Sequence, residues 1–248
     1  MEKTLDLLTA ELKSAYGENL MALFLYGSAA SGDFHEKFSD LNILCVLREI
    51  SVELLKRAEK TITWFVKKGN PPPLFFTLNE IENSNDVFPI EFLDMQASHR
   101  VLFGEDILKD LHIERENHRL ELEHELRSKF VGLRQSFLSV SHEPKAVGNL
   151  ILRSLSAVIT LFRHTLMLMG ETVPVQKRDI IKRFCARSRL DESLFLSLLK
   201  MREEGRELAA AEAVPTFQRY FEEIAKMVTL VDQLPKGLAS SEGSKQNL

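Results

Sequence analysis

Residues 23–47, LFLYGSAASGDFHEKFSDLNILCVL, carry the pattern on which the fold prediction depends. An apolar run over residues 20–26 ends at Gly27-Ser28, and a second apolar run covers residues 41–47. Both runs are short and are bounded by turn or polar residues, which is typical of buried β-strands. The segment therefore predicts two strands joined by a Gly-Ser turn and a polar loop.

The turn and the start of the second strand carry groups suited to a phosphate and a divalent cation. Gly27 has no Cβ, so the backbone there can approach a ligand closely. Ser28 offers a hydroxyl group, and the following turn offers backbone N–H groups to an anion. Asp40 precedes the second strand, and residue 42 shares its face because side chains alternate along a strand. Carboxylates at these two positions would share a metal pair that polarises a phosphoryl group.

This pattern resembles the signature of the nucleotidyltransferase superfamily, which includes DNA polymerase beta and the aminoglycoside nucleotidyltransferases. That signature is an apolar strand, Gly-Ser, a loop, and then Asp-x-Asp or Asp-x-Glu in a second apolar strand. Gly27, Ser28 and Asp40 match it. The resemblance implies an α+β fold, with a small mixed β-sheet nucleotidyltransferase domain followed by an α-helical bundle. It also implies Mg²⁺-dependent transfer of a nucleoside monophosphate from an NTP to an acceptor hydroxyl.

Position 42 departs from the signature, because the chain has Asn42 where the family has a carboxylate. An amide oxygen can ligate Mg²⁺ but brings no negative charge. Three outcomes stay open: a rearranged metal set in which Asp94 compensates, catalysis through one ion, or nucleotide binding without turnover. The last is the alternative function, a degenerate nucleotidyltransferase fold that acts as a nucleotide-binding, regulatory or interaction module.

The family also has a third carboxylate on a later strand, and we assign that role by resemblance to Glu91. Residues 88–95, FPIEFLDM, are predicted as a fourth strand with Glu91 among apolar neighbours, where an unpaired charge would be costly. The alternative is that Glu91 pairs with a basic residue or reaches solvent. The predicted catalytic residues are Asp40 and Glu91, and the predicted metal ligands are Asp40, Asn42, Glu91 and Asp94.

Basic residues close to these segments could reach a triphosphate. Gly27, Ser28 and Lys37 form the predicted nucleotide-binding set, and Arg48 and Arg100 are further candidates. Each cation is more often a solvated surface charge. The formal net charge of −4 argues against an extended nucleic-acid surface. The predicted partners are therefore an NTP and an unidentified acceptor, a small molecule or a protein.

The remaining chain has a predominantly helical pattern. We predict a nucleotidyltransferase-like domain over residues 1–112, a helical bundle over 113–235 and a disordered tail over 236–248. Helices are predicted over 2–16 and 51–68, a third strand over 74–78, and four or five bundle helices with one of the breaks near Pro215. His112, His118 and His124 recur at a spacing that separates them around a helix, so surface positions are expected.

The composition of the chain indicates which class of protein it belongs to. Hydrophobic residues make up 44% of the chain and charged residues 27%, which favours a packed globular core. Cys45 and Cys185 lie in apolar surroundings and are expected to be buried, reduced thiols. The most apolar segment, residues 150–169, contains Arg153, Arg163 and His164, so a bundle helix is favoured over a membrane span. The expected location is the cytoplasm, and a homodimer is possible.

Overall fold

A computed structural model describes residues 1–30 and 40–235, and the chain divides into two compact units, Met1–Asn117 and His118–Leu248. The predicted nucleotide-binding residue Lys37 and the tail over residues 236–248 lie outside the described residues. The same holds for the side chain of Ser28, although its backbone is described.

The first unit is built on a four-stranded mixed sheet with the order β3-β2-β1-β4. The strands are β1 (Leu20–Tyr26), β2 (Asn42–Leu47), β3 (Leu74–Thr77) and β4 (His99–Phe103). β1 pairs antiparallel with β2 and with β4, while β2 pairs parallel with β3. The prediction of two central strands on either side of the Gly-Ser turn is confirmed.

Helices cover both faces of this sheet. They are α1 (Glu2–Tyr16), α2 (Val52–Arg57), α3 (Glu59–Lys67), α4 (Leu78–Ser84) and α5 (Pro89–Ala97). Residues of β1 and β2 at odd positions, such as Leu25 and Ile43, pack with α1 and α3. Those at even positions, such as Phe24 and Leu44, pack with α4 and α5. Because side chains alternate along the strands, one hydrophobic core lies on each face of the sheet.

The prediction of a fourth strand over residues 88–95 is wrong, because this segment forms the helix α5. Apolar residues at 88, 90 and 92 imitate the two-residue period of a strand. The buried set Pro89, Phe92 and Met95 instead follows a helical spacing. Pro89 occupies the start of the helix, where its missing N–H group costs no hydrogen bond. The fourth strand is β4, which begins at His99.

The second unit is helical and contains α6 (Arg115–Val140), α7 (Pro144–Leu168), α8 (Lys177–Ser188), α9 (Glu192–Glu203) and α10 (Ala210–Asp232), of which α6 begins just before the unit boundary. The expected break at Pro215 is absent, since this residue lies inside α10. α10 packs against α7, and burial of Phe217 and Tyr220 compensates for the backbone hydrogen bond that proline removes. The helical pattern predicted for this half of the chain is confirmed.

The pattern of burial overturns one expectation and confirms another. His118 is buried rather than at the surface, and its Nε2 lies 2.9 Å from Nδ1 of the buried His164. His112 precedes α6, and the spacing of His118 and His124 did not show which face of α6 packs inside. Cys45 and Cys185 are buried free thiols, as expected.

Of the described helices, α7 is the one that is long and apolar enough to cross a membrane by length and composition. Within its most apolar window, 44% of the residues are buried inside the protein. α7 packs against α8, α9 and α10. The core helix of a helical bundle has these same properties.

Candidate functional site

A tight turn at the end of β1 brings its backbone close to the first residue of β2. Gly27 has a φ of +76°, which favours glycine, and its N–H donates to the carbonyl of Ser98 at 3.2 Å. The Gly27 carbonyl accepts from the N–H of Ala30 at 2.9 Å, closing a short 3₁₀ turn over Gly27–Ala29. A Cβ added at Gly27 would lie 3.3 Å from Nδ2 of Asn42. The predicted neighbours Gly27 and Asn42 therefore lie side by side.

Asn42 faces the side of the sheet that α4 and α5 cover. It pairs with Tyr26 in the β1–β2 ladder and is half-buried. Leu41, directly before it, is buried in the opposite core with α1 and α3. Asp40 precedes Leu41 and is exposed to solvent. Asp40 and Leu41 precede β2, which begins at Asn42, so a shared face for Asp40 and Asn42 stays a prediction.

Glu91 lies on a helix and not on a strand, which corrects the location predicted for it. It occupies the first turn of α5 and is exposed. Because Glu91 is exposed, its charge needs no metal partner to offset a cost of burial. A carboxylate in the first turn also stabilises the helix through its dipole. None of the four described strands contains an aspartate or a glutamate.

Glu91 nevertheless lies within electrostatic reach of the end of β1. Burial, and secondarily the charge of Glu91, raises the pKa of Tyr26 to about 12. Tyr26 is flanked by Asn42 on β2 and by His99 on β4. Glu91 therefore lies near Tyr26, the ladder partner of Asn42. Tyr26 was not among the predicted site residues, although it directly precedes Gly27 in the sequence.

The other predicted metal ligand, Asp94, is half-buried and lies one turn after Glu91 on α5. Among residues 1–30 and 40–235, no group of three or more His, Cys, Asp or Glu residues is arranged to hold a metal ion. A site made of two carboxylates and the amide of Asn42 does not require such a group. Its donors are hard oxygen atoms, which are the ligands that Mg²⁺ prefers.

Two of the candidate triphosphate cations are engaged elsewhere. Arg48 donates from Nε to the carbonyl of Glu18 at 2.9 Å. Arg100 donates from both terminal nitrogens to the carboxylate of Glu2, at 3.1 and 3.0 Å. Both arginines therefore tie neighbouring segments of the first unit together, and neither is a favoured phosphate ligand.

A side chain from the α3–β3 connection reaches the segment that contains Asp40. The N–H of Leu41 donates to Oδ1 of Asn70 at 3.1 Å. Leu41 directly precedes β2 and Asn70 follows α3, so the bond joins segments that are distant in the sequence. The sequence predicted only a break between the helix over 51–68 and the strand over 74–78, and Gly69-Asn70-Pro71 lies in that break. The abundance of turn residues there predicted a loop but gave no information on what its side chains touch.

Comparison with known proteins identifies the fold. No protein-family model matches the chain, and no curated protein sequence matches it. Among solved structures, it is similar to spectinomycin adenyltransferase AAD(9) from Enterococcus faecialis, whose crystal structure contains ATP and spectinomycin. The TM-score is 0.60 at 12% sequence identity, and the match covers 91% of this chain and 99% of that chain. The predicted fold class, a small mixed sheet followed by a helical region, is confirmed.

Proposed function

We propose that this protein transfers a nucleotidyl group from an NTP to a hydroxyl group of a small-molecule acceptor. The observation that carries the proposal is the approach of the Gly27 turn to Asn42, within a fold shared with an adenyltransferase. The adenyltransferase was crystallised with ATP and spectinomycin, so ATP is the first donor to test. In the reaction, the acceptor oxygen bonds to the α-phosphorus, the bond to the leaving pyrophosphate breaks, and a carboxylate of the site takes the hydroxyl proton.

Each proposed residue has a separate task. The close backbone approach that Gly27 allows makes room for the phosphates, and Ser28 with the following N–H groups binds them. Asp40 and Asn42 supply oxygen ligands from one side of the chain. Glu91 supplies the second carboxylate. Its effect on the pKa of Tyr26, the ladder partner of Asn42, supports a position near these two residues. Lys37 and Asp94 are secondary candidates for phosphate and metal.

Mg²⁺ fits this donor set, and when bound it would withdraw charge from the phosphates and favour departure of pyrophosphate. Asn42 contributes an oxygen without a charge, so the set carries less negative charge than the Asp-x-Asp arrangement. We therefore expect weaker Mg²⁺ binding than a family member with two strand carboxylates would show.

The test is calorimetric titration with Mg²⁺-ATP, together with pyrophosphate release in the presence of hydroxyl-bearing acceptors. We expect the wild type to bind, Asp40→Ala to bind at least about tenfold more weakly, and Asn42→Asp to bind Mg²⁺ more tightly. Asp110→Ala is the matched control, since it removes an exposed aspartate elsewhere in the first unit. If the wild type binds no NTP with Mg²⁺, the proposal is refuted.

We keep a second candidate because the chain has Asn42 where the nucleotidyltransferase signature has a carboxylate. It is a nucleotide-binding module without turnover. Binding of Mg²⁺-ATP with no pyrophosphate release from any NTP would support this candidate. Turnover that Asp40→Ala abolishes would exclude it.

A further inference from the structure

We propose that Asn70 is a positioning residue, which holds the backbone between Asp40 and Asn42 in the conformation that presents both side chains to one ligand. The inference rests on the proposed function of that site. Asn70 lies outside the residues that would touch nucleotide or metal, and it acts through Leu41.

The contact is a bridge made by one side-chain amide between two backbone segments. Oδ1 of Asn70 accepts from the N–H of Leu41 at 3.1 Å. Nδ2 of Asn70 donates to the carbonyl of Phe65 at 3.2 Å. Both hydrogen bonds are partly buried, so water competes less for them than at an open surface.

The orientation of the Asn70 amide is determined by its partners. A backbone N–H can only donate and a backbone carbonyl can only accept, so exchanging the oxygen and nitrogen of the amide would break both bonds. Asparagine is therefore required as a combined acceptor and donor. Alanine provides neither, and aspartate provides only acceptors at neutral pH.

The helix end that anchors Asn70 is itself well defined. The N–H of Lys68 donates to the carbonyl of Phe65 at 3.2 Å, and that of Gly69 donates to the carbonyl of Val66 at 2.9 Å. Gly69 has a φ of +91°, which turns the chain out of α3 and is unfavourable for other residues. Asn70 follows at once, and the run of three prolines after it restricts the backbone further.

Leu41 is the position where such an anchor affects the site most directly. It lies between Asp40 and Asn42, but precedes β2, which begins at Asn42. Its N–H is bound by Asn70 instead of by a neighbouring strand. Loss of this bond would free the backbone that carries Asp40, while the ladder between β1 and β2 stays intact.

The other end of β2 offers a matched control. Asn19 also makes two side-chain–backbone hydrogen bonds, but both are to Glu49 and both are exposed: Nδ2 donates to the carbonyl at 3.0 Å and Oδ1 accepts from the N–H at 3.1 Å. Each asparagine therefore holds the backbone just outside one end of β2, Asn70 at Leu41 and Asn19 at Glu49. Glu49 lies beyond the end of β2 that is remote from Asn42, so Asn19→Ala removes the same number of side-chain hydrogen bonds without disturbing Asp40.

The experiment compares Asn70→Ala, Asn70→Asp and Asn19→Ala in the full chain. It measures urea unfolding, Mg²⁺-ATP affinity by calorimetry, and amide hydrogen exchange at Leu41 and Glu49. We expect Asn70→Ala to expose the Leu41 amide to exchange and to weaken Mg²⁺-ATP binding about fivefold to tenfold, the equivalent of one hydrogen bond. Asn19→Ala should expose Glu49 instead and leave the affinity within about twofold of wild type.

Asn70→Asp separates positioning from stability. It keeps an acceptor for Leu41 but turns an oxygen towards the carbonyl of Phe65, so we expect reduced stability with unimpaired Mg²⁺-ATP affinity. If affinity instead follows stability across all three variants, Asn70 is only a structural residue and the inference is refuted. Unchanged exchange at Leu41 in Asn70→Ala refutes it as well. A wild type that binds no nucleotide refutes the proposed function, and the exchange data still decide whether Asn70 holds Leu41.

Discussion

Replacing Gly27 with alanine should damage the site beyond its effect on stability. The positive φ of +76° at Gly27 disfavours any residue with a Cβ, at a cost of about 1–2 kcal/mol in the free energy of unfolding. A shift of about 4–8 °C in Tm per kcal/mol is typical of small domains, so a drop of several degrees is expected. In addition, the new Cβ would lie 3.3 Å from Nδ2 of Asn42, so that side chain must move by a few tenths of an ångström.

Gly17→Ala separates these two effects. Gly17 also has a positive φ, of +53°, and its ψ of −126° is a conformation that only glycine adopts readily. A Cβ at Gly17 meets nothing within 4 Å. The control should therefore be destabilised at least as much as Gly27→Ala, without any change at Asn42.

The assay is urea unfolding of both variants, followed by calorimetric titration with Mg²⁺-ATP under conditions where each is folded. We expect Gly27→Ala to lose at least about fivefold in affinity, equivalent to about 1 kcal/mol, and Gly17→Ala to bind like the wild type. Equal affinities for the two variants would show that the contact between residue 27 and Asn42 has no role in binding. That result would refute the prediction even if the stabilities of both variants fell as expected.

Three further predictions concern residues outside the site. Burial raises the pKa of the Cys185 thiol to about 12 and that of Cys45 still further, so neither should react with a thiol reagent at pH 8 until urea unfolds the chain. Asp191 caps α9, and its hydrogen bonds with Ser193, an arginine and a backbone N–H lower its pKa to about 2, below its ordinary 3.8. The ionised Asp191 side chain therefore stabilises the fold fully above pH 4, and this stabilisation is lost as the pH falls towards 2. Asp191→Ala should lower the free energy of unfolding, measured in urea, by about 1 kcal/mol at pH 7 and by much less at pH 2. Tyr220→Phe removes the hydrogen bond to Ser154 at 2.9 Å inside the second unit, and should lower the free energy of unfolding by about 1 kcal/mol, with no change in Mg²⁺-ATP affinity.

Local sequence signals were sufficient where one short segment contains all the relevant information. The apolar runs on either side of Gly27 formed β1 and β2, because their composition and length suit a buried strand. Helix α2 begins where the helix over 51–68 was predicted to begin, and Ser51 caps it by accepting a hydrogen bond from the N–H of Leu54. The glycine at the turn was also identifiable, since few other residues tolerate its conformation.

Segment 88–95 shows where local patterns fail. Its apolar residues fit a strand and a helix almost equally over so short a length, and the choice depends on what the segment packs against. As a helix, it buries Phe92 and Met95 against the even-numbered residues of β1 and β2. Because the segment is a helix, Glu91 lies in the exposed first turn of α5 and not on the predicted strand.

The sequence by itself determined the two central strands, the turn between them, and the identity of the oxygen-bearing side chains at residues 40 and 42. Tertiary structure alone decided that β3 and β4 flank these strands, that Glu91 acts on Tyr26 from a helix, and that Asn70 binds the backbone of Leu41. The physical reason is the range of the interactions. Strand propensity and turn chemistry operate within a few residues, whereas contacts across the sheet form only when distant segments are packed together.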